Sequence, residues 1–442
     1  MECDLLIEGG TILTMDAQWH VFDPGYLAIK DGRIIDVGPL PAPPALRATQ
    51  VQRAPQSLIM PGYVNTHTHI AMSPFRGAAE DMPDRLTRFI FPLEKAMVRP
   101  DLVYDASLFT IAEMVRSGTT CFADMYYYEE EVARAAADAG MRALVGETVV
   151  DFAAPDYGAP YEGIDRAIRL AETWQGHPLV RACIAPHAPY TVDEIHLARI
   201  ASLAELHDIP IMMHVAEMDF EHARFAPAHG SVLRYLDRTG ILSPRLIAAH
   251  MLFLDDADIE LAAKRGVKVA HCPVSNAKSG RPICPAWRLA DAGAAVGVGT
   301  DGPLSGNTMD MQTVVSLYPK LQKTREHRRD IVSARDALWT ATQGGARVLG
   351  LEDTIGSLET GKQADIQIVE INDFNCLPVH DWYATAAYAL QAHNVQHVLV
   401  AGRFVLKDRR LTFATEDELK ARLLVHAHAS REMIAALQTT IS

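Results

Sequence analysis

From about residue 57 onward, short apolar runs alternate with longer amphipathic stretches, and this repeat restricts the possible folds more than any other feature. The apolar runs predict β-strands and the amphipathic stretches predict helices. Strands are predicted near residues 58–67, 119–126, 142–149, 180–187, 209–217, 246–251, 268–273 and 295–301, with helices at 101–117, 130–139, 192–207, 254–265 and 285–293. Eight β-α units over about 300 residues predict a (β/α)8 barrel, whose functional side chains lie at the C-terminal ends of the strands.

The two ends of the chain carry a different pattern. Residues 4–38 alternate polar and apolar side chains between glycine turns, whereas residues 39–56 are rich in proline and alanine and predict a linker. Strand-like alternation returns after about residue 362, and residues 416–438 have helical spacing. We therefore predict an α/β chain in which residues 58–361 form the barrel. Residues 1–57 and 362–442 are predicted to form a small flanking β-sandwich with a terminal helix.

The composition is that of an ordinary folded protein and excludes several functional classes. Of the 442 residues, 49% are hydrophobic, and the net charge of -14 argues against a nucleic-acid surface, which needs basic patches. The six cysteines are scattered without a CxxC pair, so no disulfide framework is predicted. The sequence has no signal-peptide pattern and no apolar run near the roughly 20 residues that span a bilayer. We expect a cytoplasmic homo-oligomer that binds neither nucleic acid nor membrane.

Histidines and acidic residues stand at the ends of four predicted strands. His67 and His69 are two residues apart, so on a strand both imidazoles face the same way. His214 ends an otherwise apolar strand, and Asp301 follows a strand of small residues, although a helix N-cap is an alternative for Asp301. Three imidazoles and one carboxylate at one rim match the ligands of a catalytic divalent metal such as zinc. Buried structural histidines are the competing explanation.

The order of the motifs resembles that of the amidohydrolase superfamily, in its aminohydrolase or deaminase branch. The shared segments, in chain order, are MPGY, HTH, PHAPY, HVAE, AAH, HCPVSN and GTDG, then GSLETGKQADIQIVE and VAGRFV. The similarity covers nearly the whole chain. Within the branch, RGAAEDM and PHAPYT are most similar to 5'-methylthioadenosine/S-adenosylhomocysteine deaminases. The resemblance implies an enzyme that hydrolyses an exocyclic amine from an N-heterocycle and releases ammonia.

The resemblance also implies catalytic roles. Glu217 would be the proton shuttle, because attack on an aromatic amidine carbon requires protonation of the ring nitrogen. Asp301 would accept the remaining proton and help to expel ammonia. His250 would hydrogen-bond the attacking water or the developing alkoxide, with a core histidine as the alternative.

Three further residues are implied to contact substrate. His187, in PHAPY, would be a substrate contact and not a metal ligand. Glu94, in FPLEK, matches a position that binds ribose hydroxyls in nucleoside-accepting relatives, and a solvated helix glutamate is the alternative. Ser305 would contact the heterocycle, or serve only as a turn residue. We interpret His271 as structural.

The lysines of the chain bear on the number of metal ions. Hydantoinase-like and phosphotriesterase-like members of the superfamily bridge two metals with a carboxylated lysine from a middle strand. Between His69 and Lys264 the only lysine is Lys95, which lies far from such a position. Glu147 could act as the bridge instead, but we predict one divalent ion per chain. Zinc is the expected metal, with iron, manganese and nickel as alternatives.

Two departures from the resembling enzymes affect the expected substrate. Relatives that accept S-adenosylhomocysteine tend to carry an arginine near the end of strand three, where this chain has Gly146, Glu147 and Thr148. Residues 81–90 also lack the tryptophan of some of these enzymes. We expect the Glu147 carboxylate to repel the anionic tail of S-adenosylhomocysteine. The expected substrate is therefore a small molecule such as methylthioadenosine or another adenosine-type nucleoside. A guanine, pterin or s-triazine hydrolase with the same machinery is the alternative, and a non-catalytic scaffold of the same fold is a further one.

Overall fold

The computed structural model describes residues 2–82 and 84–439. Its strands are, in chain order, β1 (Glu2–Glu8), β2 (Thr11–Leu13), β3 (Val21–Phe22), β4 (Gly25–Lys30), β5 (Arg33–Pro39), β6 (Arg47–Arg53), β7 (Ser57–Pro61), β8 (Tyr63–Thr68), β9 (Thr119–Tyr126), β10 (Arg142–Val149), β11 (Val180–Pro186), β12 (Ile211–Val215), β13 (Leu246–His250), β14 (Lys268–His271), β15 (Ala295–Val298), β16 (Ile366–Glu370), β17 (Val395–Val400), β18 (Arg403–Lys407) and β19 (Arg410–Leu411).

The helices fill most of the intervals between the barrel strands and end the chain. They are α1 (Phe91–Met97), α2 (Pro100–Arg116), α3 (Glu129–Ala139), α4 (Gly163–Thr173), α5 (Glu194–Leu206), α6 (Asp219–His229), α7 (Val232–Thr239), α8 (Asp256–Arg265), α9 (Pro273–Lys278), α10 (Ala286–Asp291), α11 (Met311–Glu326), α12 (Ala334–Trp339), α13 (Gly345–Leu349), α14 (Trp382–Ala384), α15 (Glu416–Ala429) and α16 (Arg431–Thr439). Short 3-10 segments lie at Ile70–Phe75 and Ala392–Asn394, and π-helical turns at Leu86–Ile90, Thr340–Gly344 and Thr385–Ala389. Among the described residues, no helix is long and apolar enough to cross a membrane.

Strands β8 to β15 form the predicted barrel. They are hydrogen-bonded in chain order, and each pair is parallel. The amide of Asp301, just beyond β15, donates to the carbonyl of His67 on β8 at 3.0 Å, so the first and last strands meet. Nearly every strand residue is buried, because side chains fill the interior and helices cover the outside. The (β/α)8 prediction is confirmed.

The two ends of the chain build the flanking β-sandwich together. One sheet has the order β5-β4-β1-β6, and the other has the order β19-β18-β17-β16-β7-β2-β3. Within the second sheet, β7 and β16 are antiparallel, with Ile59 opposite Ile368. Side chains of both sheets, among them Ile7, Leu27 and Leu399, share one apolar core. The predicted sandwich is therefore confirmed, while the division of the chain at residues 57/58 and 361/362 stays a prediction.

Two predicted segments differ from the structure. The single strand expected at 58–67 is two strands, because the chain passes from the sandwich into the barrel at Gly62, where a Cβ would lie 2.1 Å from the Thr120 side chain. The linker expected at 39–56 contains β6, which pairs in parallel with β1. This strand is largely exposed, so it lacks the polar-apolar alternation by which a half-buried strand is identified.

A buried ion pair joins the barrel to the sandwich. Arg142, the first residue of β10, donates from Nε to Asp365 Oδ2 at 2.9 Å and from Nη2 to Asp365 Oδ1 at 3.0 Å. Asp365 directly precedes β16, and both side chains are buried. The Asp365 carboxylate also accepts from the Ala401 amide at 2.8 Å, so its lone pairs are well satisfied. The two hydrogen bonds hold the start of β10 in the barrel next to the start of β16 in the sandwich.

Candidate active site

The C-terminal ends of three barrel strands, β8, β12 and β15, bring the predicted metal ligands together. Ligand atoms of His67, His214 and His250 lie within 4.8 Å of one another, and so do those of His67, His69 and Asp301. His69 Nε2 is 3.2 Å from His214 Nε2 and 3.3 Å from Asp301 Oδ1. All four expected ligands therefore converge, and His250 adjoins them.

The hydrogen bonds of the imidazoles suit a bound cation. Nδ1 of His69 donates to the Met125 carbonyl at 2.6 Å, and Nδ1 of His214 donates to the His187 carbonyl at 2.8 Å. Because a carbonyl can only accept, each Nδ1 carries the proton and each Nε2 presents a lone pair to the other ring. Neither nitrogen of His67, which is fully buried, has a hydrogen-bond partner in the described residues. A divalent cation between these rings would satisfy donor atoms that are otherwise orphaned or facing one another.

The protonation states also suit metal binding. Burial, reinforced by the neighbouring histidines, lowers the pKa of His67 well below its usual value and lowers the pKa of His214 to about 4. Both rings are therefore neutral at pH 7, as ligation requires. Burial raises the pKa of Asp301, but His69, His250 and a Ser275 hydrogen bond outweigh it, so the net pKa is lowered and the carboxylate is ionised.

Side chains behind the ligands fix the positions of Asp301 and His250. Ser275 Oγ donates to Asp301 Oδ2 at 2.6 Å, and the Gly302 amide donates to Asp301 Oδ1 at 2.7 Å. Asn276 Nδ2 lies 3.0 Å from His250 Nδ1. Both residues adopt left-handed backbone conformations, with φ of 62° for Asp301 and 73° for His250. Such conformations are unfavourable for these residue types and cluster at functional sites.

Glu217 lies beside this group on the turn between β12 and α6. Its amide donates to Glu221 Oε1 at 3.0 Å, which anchors the turn, and its Oε1 is 3.7 Å from His250 Nε2. The same oxygen accepts a hydrogen bond from Arg281 Nη1. Burial raises the pKa of Glu217, but His250 and Arg281 outweigh it and leave the pKa below the usual value. The carboxylate is therefore ionised and able to accept a proton.

A single cavity of about 670 Å³ contains most of the residues that the sequence singled out. Its lining includes His69, His214, Glu217, His250, Asp301, Glu94, His187 and Ser305. His67 lies behind the wall, fully buried. The volume falls in the range of ordinary small-molecule pockets.

The three predicted substrate contacts, Glu94, His187 and Ser305, all line the cavity but have different surroundings. Glu94 on α1 is 5% exposed, so the alternative of a solvated helix glutamate is wrong. Burial raises the pKa of Glu94 to about 8, and the neighbouring Tyr126 hydroxyl offsets only part of this shift. His187 Nδ1 lies 3.0 Å from Thr191 Oγ1. Ser305 is the last residue of a turn, and its amide donates to the Gly302 carbonyl at 2.9 Å.

Glu147 lies at the end of β10, as expected, but does not face the metal ligands. Its carboxylate accepts from the Glu129 amide at 3.1 Å and pairs with Arg166 at 3.3 Å. It belongs to neither candidate ligand group and does not line the cavity, whereas its neighbour Thr148 does. Glu147 is therefore not placed to repel an anionic substrate tail inside the cavity.

Several residues that contact the site were not predicted from the sequence. They are Arg85, Tyr126, Glu221, Ser275, Asn276 and Arg281. Ser275 and Asn276 belong to the HCPVSN segment, so their proximity to the site could have been inferred from that motif. Arg85 and Arg281 lie in the segments after β8 and α9, where no periodicity indicates the direction of a side chain.

Comparisons with known proteins agree with this arrangement. The sequence model of the amidohydrolase family matches residues 58–405. A 5-methylthioadenosine/S-adenosylhomocysteine deaminase of Syntrophobacter fumaroxidans is 39% identical over 424 residues, which cover 95% of this chain and 97% of the relative. The crystal structure of an adenosine deaminase from Xanthomonas campestris with bound zinc has a TM-score of 0.94 and 36% identity, covering 98% of this chain and 99% of that one. An atrazine chlorohydrolase from Arthrobacter aurescens in complex with zinc has a TM-score of 0.88 at 21% identity, covering 96% of this chain and 100% of that one, a likeness of fold alone.

Proposed function

Because this chain belongs to the amidohydrolase family, we propose that it is a metal-dependent aminohydrolase that deaminates an adenosine-type nucleoside such as methylthioadenosine. The observation that carries the proposal is the convergence of three imidazoles and Asp301 beside the Glu217 carboxylate, in one cavity. The deaminase names of the relative and of the structural neighbour support the reaction and the substrate class.

We propose that His67, His69, His214 and Asp301 hold one divalent ion, which we take to be zinc. Three nitrogen donors and one oxygen donor suit zinc, and the Xanthomonas campestris deaminase carries it. Iron, manganese or nickel would suit the same donors less specifically. When bound, such an ion acts as a Lewis acid and makes a water molecule nucleophilic near neutral pH.

The acidic residues and His250 account for the proton transfers. The ionised Glu217 carboxylate takes one proton from the attacking water and delivers it to the ring nitrogen next to the amine-bearing carbon. His250, whose Nε2 is 3.7 Å from Glu217 Oε1, holds the incoming oxygen in line with that carbon. Asp301 accepts the second proton and passes it to the amino group. The C–N bond then breaks, ammonia leaves, and a carbonyl remains on the ring.

Glu94, His187 and Ser305 are proposed to hold the substrate. The Glu94 carboxyl group is enclosed in the wall and offers two oxygens to two neighbouring hydroxyls, so Glu94 suits a ribose. His187 and Ser305 line the same cavity and would contact the heterocycle. Nothing about the cavity favours the s-triazine alternative specifically.

Ammonia release from a panel of amino-heterocycles tests this function. We expect turnover of methylthioadenosine and adenosine, and little of guanine or an s-triazine. S-adenosylhomocysteine belongs in the panel because Glu147 does not oppose its carboxylate at the cavity wall. If the zinc-loaded protein turns over only guanine or triazines, it is a guanine-type or s-triazine hydrolase. If it releases no ammonia from any compound, it is a non-catalytic scaffold.

We further propose that the protein is a cytoplasmic homo-oligomer. All six cysteines are buried and unpaired in the described structure, which fits a reducing compartment such as the cytoplasm. Light scattering on the purified protein would test the predicted homo-oligomer.

A further inference from the structure

Three cationic side chains line the same cavity as Glu217, and none of them serves a step of the proposed mechanism. They are Arg85, Lys278 and Arg281. Lys278 is neutralised by Glu80, with Nζ 2.7 Å from the carboxylate. Arg281 is bonded to Glu217, and Arg85 Nη2 donates to the Leu304 carbonyl. We call Arg85 and Arg281 the arginine pair.

Arg85, one member of the arginine pair, is incompletely satisfied by the described residues. The described part of the chain offers no acceptor to the buried Nε of Arg85. Burial lowers the pKa of Arg85, and the nearby Arg281 lowers it further, while Glu80 and Asp301 act in the opposite direction. A buried N–H without an acceptor is unfavourable, so a ligand oxygen at Arg85 Nε would be stabilising.

The position of Arg281 shows which part of a ligand it would meet. Its Nη1 shares the Glu217 oxygen that adjoins His250, so it stands next to the group that protonates the ring nitrogen. Arg85 lines the same cavity and donates to the Leu304 carbonyl, three residues after Asp301, so it also lies at the reacting end. A tail beyond the ribose would instead start from the sugar, which we assign to Glu94.

We propose that the arginine pair binds a carbonyl oxygen on the ring carbon next to the nitrogen that Glu217 protonates. The preferred substrate is then an aminopurine nucleoside with an oxo group at that carbon, and adenosine itself is a poorer one. This inference rests on the proposed function and narrows its substrate class. The reaction keeps the same balance: water adds its oxygen to the amine-bearing carbon, the C–N bond breaks, ammonia leaves, and the product carries two ring carbonyls.

The acceptor also explains the bond between Arg281 and Glu217. The Arg281 guanidinium has the Glu217 carboxylate as its partner. A carbonyl oxygen placed beside the ring nitrogen offers Arg281 a second acceptor and leaves a Glu217 oxygen free to face that nitrogen. A substrate without this carbonyl oxygen leaves Arg281 bonded to Glu217.

The test compares kcat/KM for isoguanosine, which is 2-oxoadenosine, with kcat/KM for adenosine in the zinc-loaded enzyme. Ammonia release is measured for the wild type, Arg281→Met, Arg85→Met and the control Lys278→Met, which removes a cation that already has a partner. We expect the wild type to prefer isoguanosine by at least about tenfold, the scale of one hydrogen bond to a charged group. We expect each arginine variant to lose most of this preference and Lys278→Met to keep it.

Several outcomes would overturn the inference while leaving the deaminase proposal intact. One is turnover of adenosine with no preference for isoguanosine. Another is a preference that survives in both arginine variants. A third is a preference for S-adenosylhomocysteine over methylthioadenosine that Arg281→Met abolishes, because the arginine pair would then bind a carboxylate tail. Absence of ammonia from every nucleoside would overturn the proposed function itself.

Discussion

Replacing Glu94 by glutamine should stabilise the folded protein increasingly as the pH rises. The buried Glu94 carboxyl has a pKa of about 8, against an ordinary value of 4.5 in the unfolded chain. The folded state therefore binds the extra proton, and the stability that the neutral form contributes is complete below about pH 4.5 and is lost as pH rises through about 8. A glutamine stays neutral at every pH and keeps a similar shape.

The pKa difference sets the size of the effect. Stability should change by about 1.4 kcal/mol per pH unit between the two pKa values, up to a limit of roughly 5 kcal/mol above pH 8. Between pH 5.5 and 7.5, the gap in the free energy of unfolding between Glu94→Gln and the wild type should therefore grow by roughly 2–3 kcal/mol. Other buried carboxyls titrate in both proteins and cancel in this comparison.

Urea unfolding at pH 5.5, 6.5 and 7.5, in protein stripped of metal, measures the gap. The matched control is Glu172→Gln, because Glu172 is an exposed helical glutamate that should give no pH-dependent gap. In Glu94→Ala, which removes the carboxyl group, kcat/KM for nucleosides should fall by roughly ten- to two-hundredfold. The free base should be little affected, since only the ribose contacts this group. The reasoning would be refuted if the free energy of unfolding depended on pH in the same way in Glu94→Gln and the wild type. Equal losses of kcat/KM for the free base and the nucleoside would also refute it.

Three further predictions concern catalysis, the metal and the fold. Glu217→Gln should keep its metal but lose at least about a hundredfold in kcat, the usual scale for an acid-base group, and near-normal turnover would make Asp301 the proton shuttle instead. Elemental analysis should find about one divalent ion per chain, with activity lost on chelation and restored by zinc; two tightly held ions, or full activity after chelation, would contradict the single site. Arg142→Met should lower the free energy of unfolding by about 3–5 kcal/mol because Asp365 is left buried and unpaired, and a loss below about 1 kcal/mol in urea unfolding would show that water or Gln363 compensates it.

Much of the barrel and its rim was predictable because the signals are local. The strands β8 to β15 are buried on both faces, so each reads as a short apolar run. His67 and His69 are two residues apart on a strand, which fixes their common direction whatever surrounds them. Four such strand ends in one parallel barrel must meet at one rim, and this is why the candidate ligands converge.

The features that the sequence did not predict depend on distant contacts. Exposed β6 is a strand only because β1 lies beside it, and its own pattern carries no alternation. Gly62 ends one strand because the chain changes partners there, from β16 to β9. The burial of Glu94 is a property of the walls around α1, and the arginine pair is defined by where two loops end.

The pairing of β7 with β16 also governs the order in which a growing chain can fold. Residues 57–61 leave the ribosome early, but their antiparallel partner at 366–370 follows about 300 residues later, roughly 15–60 s of synthesis at about 5–20 residues per second. During that interval the edge of β7 that will face β16 exposes unpaired amide and carbonyl groups. The barrel can close around β8 before then, so the sandwich that holds both ends is the last part of the protein to assemble.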